Sequence, residues 1–200
     1  TLGFFNISQI DKELFKSPIS GSFGSFEFKK SLNIDIKINF IESVLNYVSS
    51  KLNPKKIEIT LSPDIYDLEN NSLIFLTLIK NKFNLSRIEI NQFIDLNNYD
   101  YETHISYGNK KRIKNCIKAG IKFHRLEKSQ YIDGFKVIEN NRKRRGFPLT
   151  MNWESMKEMI DQFSNKIYIF GLIHADKIIA SAVCINVSLD ILYVFYWGEE

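Results

Sequence analysis

The sequence predicts an α+β fold in which mixed or antiparallel sheets are flanked by helices. Two hydrophobic periods alternate along its 200 residues: apolar side chains recur every three or four positions in some segments and every second position in others. The final third contains three strand-like segments joined by very short turns, which favours an antiparallel meander. A composition of 44% hydrophobic residues supplies enough apolar side chains for a packed core.

The first half is predicted to contain two helices with strands between them. The helical spacing of Ile41, Leu45 and Val48 predicts a helix over 36–52, which Pro54 ends. The other predicted elements are a strand end at 2–7, a loop at 17–25, a strand at 56–61, a helix at 70–82 and a strand at 85–96.

The loop at 17–25 (SPISGSFGS) is rich in small residues. Main-chain N–H groups in such a loop are able to approach a phosphate, above all just before a helix. The loop has neither a Walker lysine nor a GxGxxG pattern, so an ordinary turn is the leading interpretation.

A polar stretch at 97–108 is predicted to separate two domains, 1–100 and 101–200. In the helix predicted at 109–119, Ile113 and Ile117 form an apolar side and Gly120 marks the end. The other elements are a strand at 121–126, a helix at 129–145, a helix with Trp153, Met156, Ile160 and Phe163 on its apolar face, and strands at 166–173, 177–187 and 191–197.

Positive charge is concentrated in residues 109–145, which hold thirteen Lys and Arg but only three acidic residues. The flanking segments, 1–108 and 146–200, carry small net negative charges. Such a basic centre attracts anions, and this pattern points to a partner that carries phosphates. The alternative is a solvated, basic helical face without a partner.

Several kinds of site and location are disfavoured. Cys116 and Cys184 are far apart and match neither a zinc site nor a disulfide framework, so we expect a reducing, cytoplasmic location. No apolar run reaches the ~18–20 residues that span a bilayer, and the first residues show no signal-peptide pattern. His104, His124 and His174 share no ligand spacing, so we expect no metal site.

From Ile121 onwards, the predicted order of strand, helix, helix and three antiparallel strands resembles the opening of the GNAT acyltransferase fold. The segments NNRKRRGFP and KIYIFGLIHADKIIASAVCINVSLDILYVFYWG resemble the GNAT-like domain of the Fem peptidoglycan aminoacyltransferases and their acyl-CoA-dependent relatives. The first half then resembles the closing part of a preceding GNAT-like domain. In that family a Gly-rich loop for the cofactor pyrophosphate follows the strand matching 191–197, so we expect it beyond Glu200 and expect little activity from these residues alone.

The resemblance implies an N-acyltransferase that moves an acyl or aminoacyl group from acyl-CoA or aminoacyl-tRNA to an amine. The acceptor would be a small metabolite, a nucleotide sugar or a cell-wall precursor. Because the reaction needs proton transfer at both amine and leaving group, Tyr196 is the candidate acid and Glu199 the candidate base. The candidate donor-binding residues are Phe195, Trp197, Gly198, Lys110, Lys114, Arg142 and Arg145, and the candidate substrate-binding residues are Asp64, Tyr66 and Tyr193.

Strict alternation along the last strand puts Tyr193, Phe195 and Trp197 on one face of the sheet, and Val194 and Tyr196 on the other. The alternative for these tyrosines is ordinary sheet packing with a hydroxyl at the rim. We expect exposed apolar edges at 2–7 and 191–197, and therefore a homodimer.

A second hypothesis is a non-catalytic module that binds nucleic acid, such as tRNA, through the basic helices. Lys110, Lys114 and Lys118 lie four residues apart, and their mutual repulsion would be relieved by a counter-anion. Phe123 and Tyr131 do not form the stacking pattern of an RNA-reading strand, which disfavours sequence-specific recognition. A third hypothesis is an interaction or structural segment of a larger protein.

Overall fold

A computed structural model describes residues 2–19, 21–98 and 100–200, and in this part of the chain six α-helices accompany three sheets. The predicted α+β class, with mixed and antiparallel sheets, is confirmed. The chain divides into two compact units, Thr1–Phe93 and Ile94–Glu200, which we call unit 1 and unit 2. This division falls a few residues before the boundary predicted from the polar stretch.

Unit 1 contains a parallel strand pair and two helices. Strand β3 pairs with β5 in parallel and with β2 in antiparallel orientation, and β1 pairs with β4 in a separate antiparallel ribbon. The bounds are β1 Gly3–Phe5, β2 Ser8–Gln9, β3 Leu14–Ser17, β4 Phe26–Phe28, α1 Ile34–Tyr47, a π-helical turn Val48–Leu52, β5 Lys56–Ile59 and α2 Leu68–Lys80.

The core of unit 1 lies where the two helices meet the β1–β4 ribbon. Ile41 and Leu45 of α1 pack with Ile74 of α2 and with Phe26, all buried. The side chain of Asn33 caps the start of α1 by accepting a hydrogen bond from the Ile36 amide at 2.9 Å. The predicted helix at 36–52 is therefore largely right, although its last turn is π-helical.

Two predictions for unit 1 need correction. Residues 85–96 form no strand among the described residues, and apolar side chains there remain exposed, with Ile90 92% accessible. Alternating apolar residues indicate only a local preference for an extended backbone. A strand also needs a neighbouring strand to pair with, and no described strand pairs with this segment. Among the described residues of the first thirty, 2–19 and 21–30, four short strands replace the single strand end that the sequence predicted.

Unit 2 is built on a four-stranded antiparallel sheet in the order β6-β7-β8-β9, so the predicted meander is confirmed. Ala175 and Asp176, both with positive φ, form the tight turn between β7 and β8. The bounds are α3 Tyr101–His104, α4 Tyr107–Lys118, β6 Lys122–Arg125, a 3₁₀ turn Lys128–Gln130, α5 Tyr131–Arg144, α6 Trp153–Gln162, β7 Ile167–His174, β8 Lys177–Asn186 and β9 Leu192–Glu199.

Helix α5 packs directly on this sheet. A Cβ atom on Gly134 would lie 2.7 Å from Leu126 and 2.9 Å from the Ser181 hydroxyl, so only glycine allows this approach. Phe135 of α5 and Met156 of α6 are completely covered in the core of unit 2. Phe163, predicted to share the apolar face of α6, lies just beyond the helix and is half exposed.

Helix α4 differs from the other long helices because none of its residues is buried. The predicted apolar side is exposed, with Ile113 39% and Ile117 66% accessible. The apolar side therefore exists but is not buried. Two isoleucines among five cations give the helix too little apolar surface to hold it on the core.

Candidate functional site

The end of strand β9 lies in very close contact with the last turns of helix α5. A Cβ atom on Gly198 would lie 2.8 Å from the Cα atom of Ile138 and 2.9 Å from the Cβ atom of Asn141. Gly198 is buried, and its missing side chain lets backbone approach backbone at this point. Gly198, which was predicted to contact a donor, therefore contacts α5. This contact also fixes the position of Glu199, the next residue and the last of β9.

Strand β9 contains a β-bulge at Phe195. Tyr196 faces Val183 and Val194 faces Cys184, which leaves Phe195 as the extra residue on β9. The prediction that Phe195 and Trp197 share one face is therefore wrong, because a bulge shifts the alternation by one residue. Phe195 and Tyr196 both pack against the core, while Trp197 is half exposed.

Two side chains of α5 and that of Arg145, which follows the helix, converge on Glu199, the last residue of β9. The amide Nδ2 of Asn141 donates to the main-chain carbonyl of Glu199 at 2.7 Å, and Arg144 Nη2 donates to the same oxygen at 3.0 Å. Arg145 Nη2 lies 3.0 Å from the Glu199 carboxylate. The candidate base is thus ion-paired with a candidate donor-binding arginine.

Two further observations concern the arginines at the end of α5. The guanidinium of Arg145 lies 5.9 Å from the centre of the Trp197 ring, at the outer limit of a cation–π contact. The Nε atom of Arg142 is buried and, within the described part of the chain, has no hydrogen-bond partner. We call Arg144, Arg145, Trp197 and Glu199 the α5–β9 cluster.

The hydroxyl of Tyr196 lies 2.8 Å from Oγ1 of Thr150, in the loop between α5 and α6, and either atom is able to donate. The Tyr196 ring stacks near Phe195, with centroids 4.1 Å apart. Tyr193 lies two residues before Phe195 on the same strand, and the centres of their rings are 6.2 Å apart. The tyrosine predicted to be an acid is thus held by packing at one end and by a hydrogen bond at the other.

The remaining candidate residues lie elsewhere. Lys110 and Lys114 belong to α4, where the Lys110 ammonium donates to the Glu102 carbonyl and lies 3.3 Å from its carboxylate. Asp64 and Tyr66 belong to unit 1, in the loop after β5. Asp64 is exposed, whereas the Tyr66 ring packs edge-on against Phe23 with centroids 5.0 Å apart.

Phe23 belongs to the small-residue loop at 17–25. In that loop Gly24 donates its N–H to the Thr60 carbonyl at 2.9 Å, so the loop runs back to the carboxyl end of β5. The hydroxyls of Ser17 and Ser25 are buried, and no described residue accepts or donates a hydrogen bond to them.

Three residues of the site were missed by the sequence analysis: Asn141, Arg144 and Thr150. The burial of Asn141 could have been predicted, because Gly134, Ile138 and Asn141 follow one another four and three residues apart, in the repeat of the buried helix face. A polar side chain on the inner face of a helix needs a hydrogen-bond partner, and here that partner is the end of β9.

No three His, Cys, Asp or Glu side chains among the described residues gather closely enough to hold a metal ion. No helix in residues 2–19, 21–98 and 100–200 has the length and apolar character needed to cross a bilayer. Comparison with known proteins finds no matching family model and no significant match among curated proteins. The GNAT resemblance therefore rests on sequence pattern.

Proposed function

We propose that this chain carries an acyl-donor site of an N-acyltransferase of the GNAT/Fem type. The donor is an acyl-CoA or an aminoacyl-tRNA, and the acceptor is the amine of a small metabolite, a nucleotide sugar or a cell-wall precursor. Because Cys116 is exposed and unpaired, we place the protein in the reducing cytoplasm.

One observation carries this proposal: the α5–β9 cluster lies at the end of β9, a bulged strand at the edge of its sheet. The outer edge of β9 presents main-chain N–H and C=O groups, which an extended chain of amides is able to pair with. Arginines at the end of that edge favour phosphates. Coenzyme A combines these two features, since an amide-bearing arm joins its thioester to its phosphates.

The candidate chemical groups lie along the same strand. In acyl transfer the amine nitrogen bonds to the carbonyl carbon, the bond to sulfur or oxygen breaks, and one proton passes from the amine to the leaving group. The Phe195 bulge disrupts the ladder and leaves main-chain groups free to polarise the carbonyl. Tyr196 supplies a proton to the leaving group after exchanging its bond to Thr150. Glu199 holds Arg145 at the phosphate end of the arm, so the proton of the amine passes to water.

The test is coenzyme A binding by isothermal titration, with the double variant Arg144→Glu/Arg145→Glu against wild type. We expect at least a tenfold loss of affinity, because two phosphate partners become repulsive. Pantetheine, which has the amide arm but no phosphates, should bind equally to both proteins. Lys157→Glu on the exposed side of α6, combined with Lys166→Glu, makes the same change of net charge away from the cluster and should leave affinity unchanged.

Two results would refute this site. One is coenzyme A binding that survives the double arginine variant, because the phosphates would then lie elsewhere. The other is equal weakening by the control lysine variants, which would mean that only net charge matters. Circular dichroism of each variant separates loss of binding from loss of folding.

A nucleic-acid-binding function is the second candidate, and α4 is the observation that favours it. Its five cations, Lys110, Lys111, Arg112, Lys114 and Lys118, are accompanied by no acidic residue within the helix, and no side chain of α4 is buried. A helix without buried residues, whose charged side chains are all positive, is suited to bind a polyphosphate backbone without reading its sequence.

This candidate is tested by a salt titration of tRNA binding, measured by fluorescence anisotropy. The triple variant Lys110→Ala/Lys114→Ala/Lys118→Ala should flatten the slope of log affinity against log salt by about 0.9 per lost phosphate contact, or about 0.7 for single strands. Tight binding with an unchanged slope would rule out α4. Absence of binding in ~50 mM salt would favour acyl-CoA as the donor, since non-specific attraction is strongest there.

A further inference from the structure

Helix α2 is apolar on two faces, although only one of them is buried in unit 1. The inner face carries Ile74 and Leu78, which are 1% and 6% exposed. The outer face is a continuous stripe at helical spacing, formed by Leu68, Ser72, Phe75, Leu76 and Ile79, and all five residues are exposed.

The large side chains of this outer stripe are strongly accessible: Leu68 64%, Phe75 39%, Leu76 65% and Ile79 44%. Scattered exposed leucines are normal, but a whole helical stripe of them is not. A helix that is hydrophobic on opposite faces is typically covered on both. The outer stripe of α2 is therefore suited to contact another apolar surface.

The charges beside the stripe identify that surface as another copy of α2. Glu69 lies in the first turn and Lys80 in the last, and at 100° per residue both fall on the same side of the stripe. When two such helices pack antiparallel about a two-fold axis, Glu69 of each copy faces Lys80 of the other, and Leu68 faces Ile79. The surface is thus complementary to itself in both charge and apolar pattern.

We propose that the chain self-associates through an antiparallel, two-fold symmetric pair of α2 helices. Ser72 lies near the two-fold axis, where its small side chain leaves room for Phe75 of the other copy. The opposed helix dipoles and two Glu69–Lys80 pairs favour the antiparallel over the parallel arrangement. One helix from each copy buries less than a standard interface, so the dimer is concentration-dependent.

Sedimentation velocity across a concentration series from about 1 to 300 μM tests the proposal. The wild-type protein should pass from monomer to dimer in that range. Leu76→Glu places a charge in the middle of the stripe and should weaken dimerisation at least tenfold. Leu189→Glu is the matched control, because Leu189 is fully exposed on the β8–β9 turn of unit 2 and is not part of the α2 stripe, and it should leave dimerisation unchanged.

The antiparallel arrangement is tested by a charge exchange. Glu69→Lys and Lys80→Glu each place like charges opposite one another in a homodimer, so each variant alone should dimerise less than wild type. A mixture of the two variants restores both opposite-charge pairs and should form a heterodimer. Lys80 also lies 3.2 Å from the Glu42 carboxylate, so melting curves of each variant are needed to show that folding is intact.

Three outcomes overturn the proposal. A protein that stays monomeric throughout the series has no α2 dimer, and if Leu76→Glu then lowers stability, the stripe is covered within the chain itself. A dimer that survives Leu76→Glu uses another surface. Equal weakening by Leu76→Glu and Leu189→Glu would indicate non-specific hydrophobic association.

Discussion

Replacing Gly198 by alanine tests how the α5–β9 cluster is held together. The added methyl would lie 2.8 Å from the Ile138 Cα atom and 2.9 Å from the Asn141 Cβ atom, closer than carbon atoms approach without repulsion. The nearest contact is main chain, which cannot turn aside as a flexible side chain can. Helix α5 must therefore move away from β9, and we expect a loss of about 1–3 kcal/mol, as for other overpacked cores.

The assay is urea unfolding followed by tryptophan fluorescence, because the two tryptophans, Trp153 and Trp197, both belong to unit 2. With a slope of about 1–3 kcal/mol per molar urea, the midpoint should fall by roughly 1 M. Gly108→Ala in α4 is the matched control, since no atom lies within 4 Å of its added methyl. That change should be neutral or stabilise by up to about 1 kcal/mol.

A Gly198→Ala protein as stable as wild type would refute the close packing of β9 on α5. The hydrogen bond from Asn141 to the Glu199 carbonyl gives a second check, because it spans the same contact. Asn141→Leu keeps the volume but removes one of the two donors to this carbonyl. Because Arg144 still donates to the same oxygen, the expected loss is that of one hydrogen bond, about 0.5–1.5 kcal/mol.

Three further predictions concern single residues. Burial raises the pKa of the Cys184 thiol, so a thiol reagent should label only exposed Cys116 in the native protein and both cysteines after unfolding; equal native rates would contradict the burial of β8. The Lys16 ammonium, and then Lys56, hydrogen-bond Glu58 and lower its pKa from 4.5 to about 2, so its stabilisation is present above pH 4.5 and is lost as the pH falls towards 2. Circular dichroism melts in that range should therefore be less pH-dependent for Glu58→Gln, and an identical profile would show that the ion pairs do not matter. Asp176 has φ of 59°, so Asp176→Gly should stabilise unit 2 by about 0.5–1 kcal/mol in urea, whereas destabilisation would indicate a different turn.

The long elements of unit 2 could be predicted because each one contains several repeats of its hydrophobic period. Strands β7 and β8 span eight and ten residues, and their positive-φ turn is too short for anything but a hairpin. By contrast, β1, β2 and β4 span two or three residues, which is less than two full periods of a strand. Such strands are defined by their neighbours rather than by their own sequence.

The site was predictable in its residues but not in its geometry. Arg145, Trp197, Gly198 and Glu199 were all candidates, yet their contacts join positions more than fifty residues apart in sequence. The bulge at Phe195 has no side-chain signature, so strict alternation placed Trp197 on the wrong face. Pairing partners and bulges depend on which strand edges meet, and local pattern does not contain that information.

The basic centre at 109–145 contains two structurally different sets of cations, one on α4 and one at the end of α5. Those of α4 stand on a helix without buried residues, where Lys110 pairs with Glu102 and the other four cations are exposed. Those at the end of α5 stand on a helix packed on the core, and Arg144 and Arg145 are oriented by Glu199. A fixed, partly neutralised set suits a small phosphate group of defined geometry, whereas an exposed set suits a long backbone. If one partner used both sets, the α4 lysine variant and the α5 arginine variant would weaken the same ligand. If the two sets serve different partners, the lysine variant should affect tRNA and the arginine variant coenzyme A.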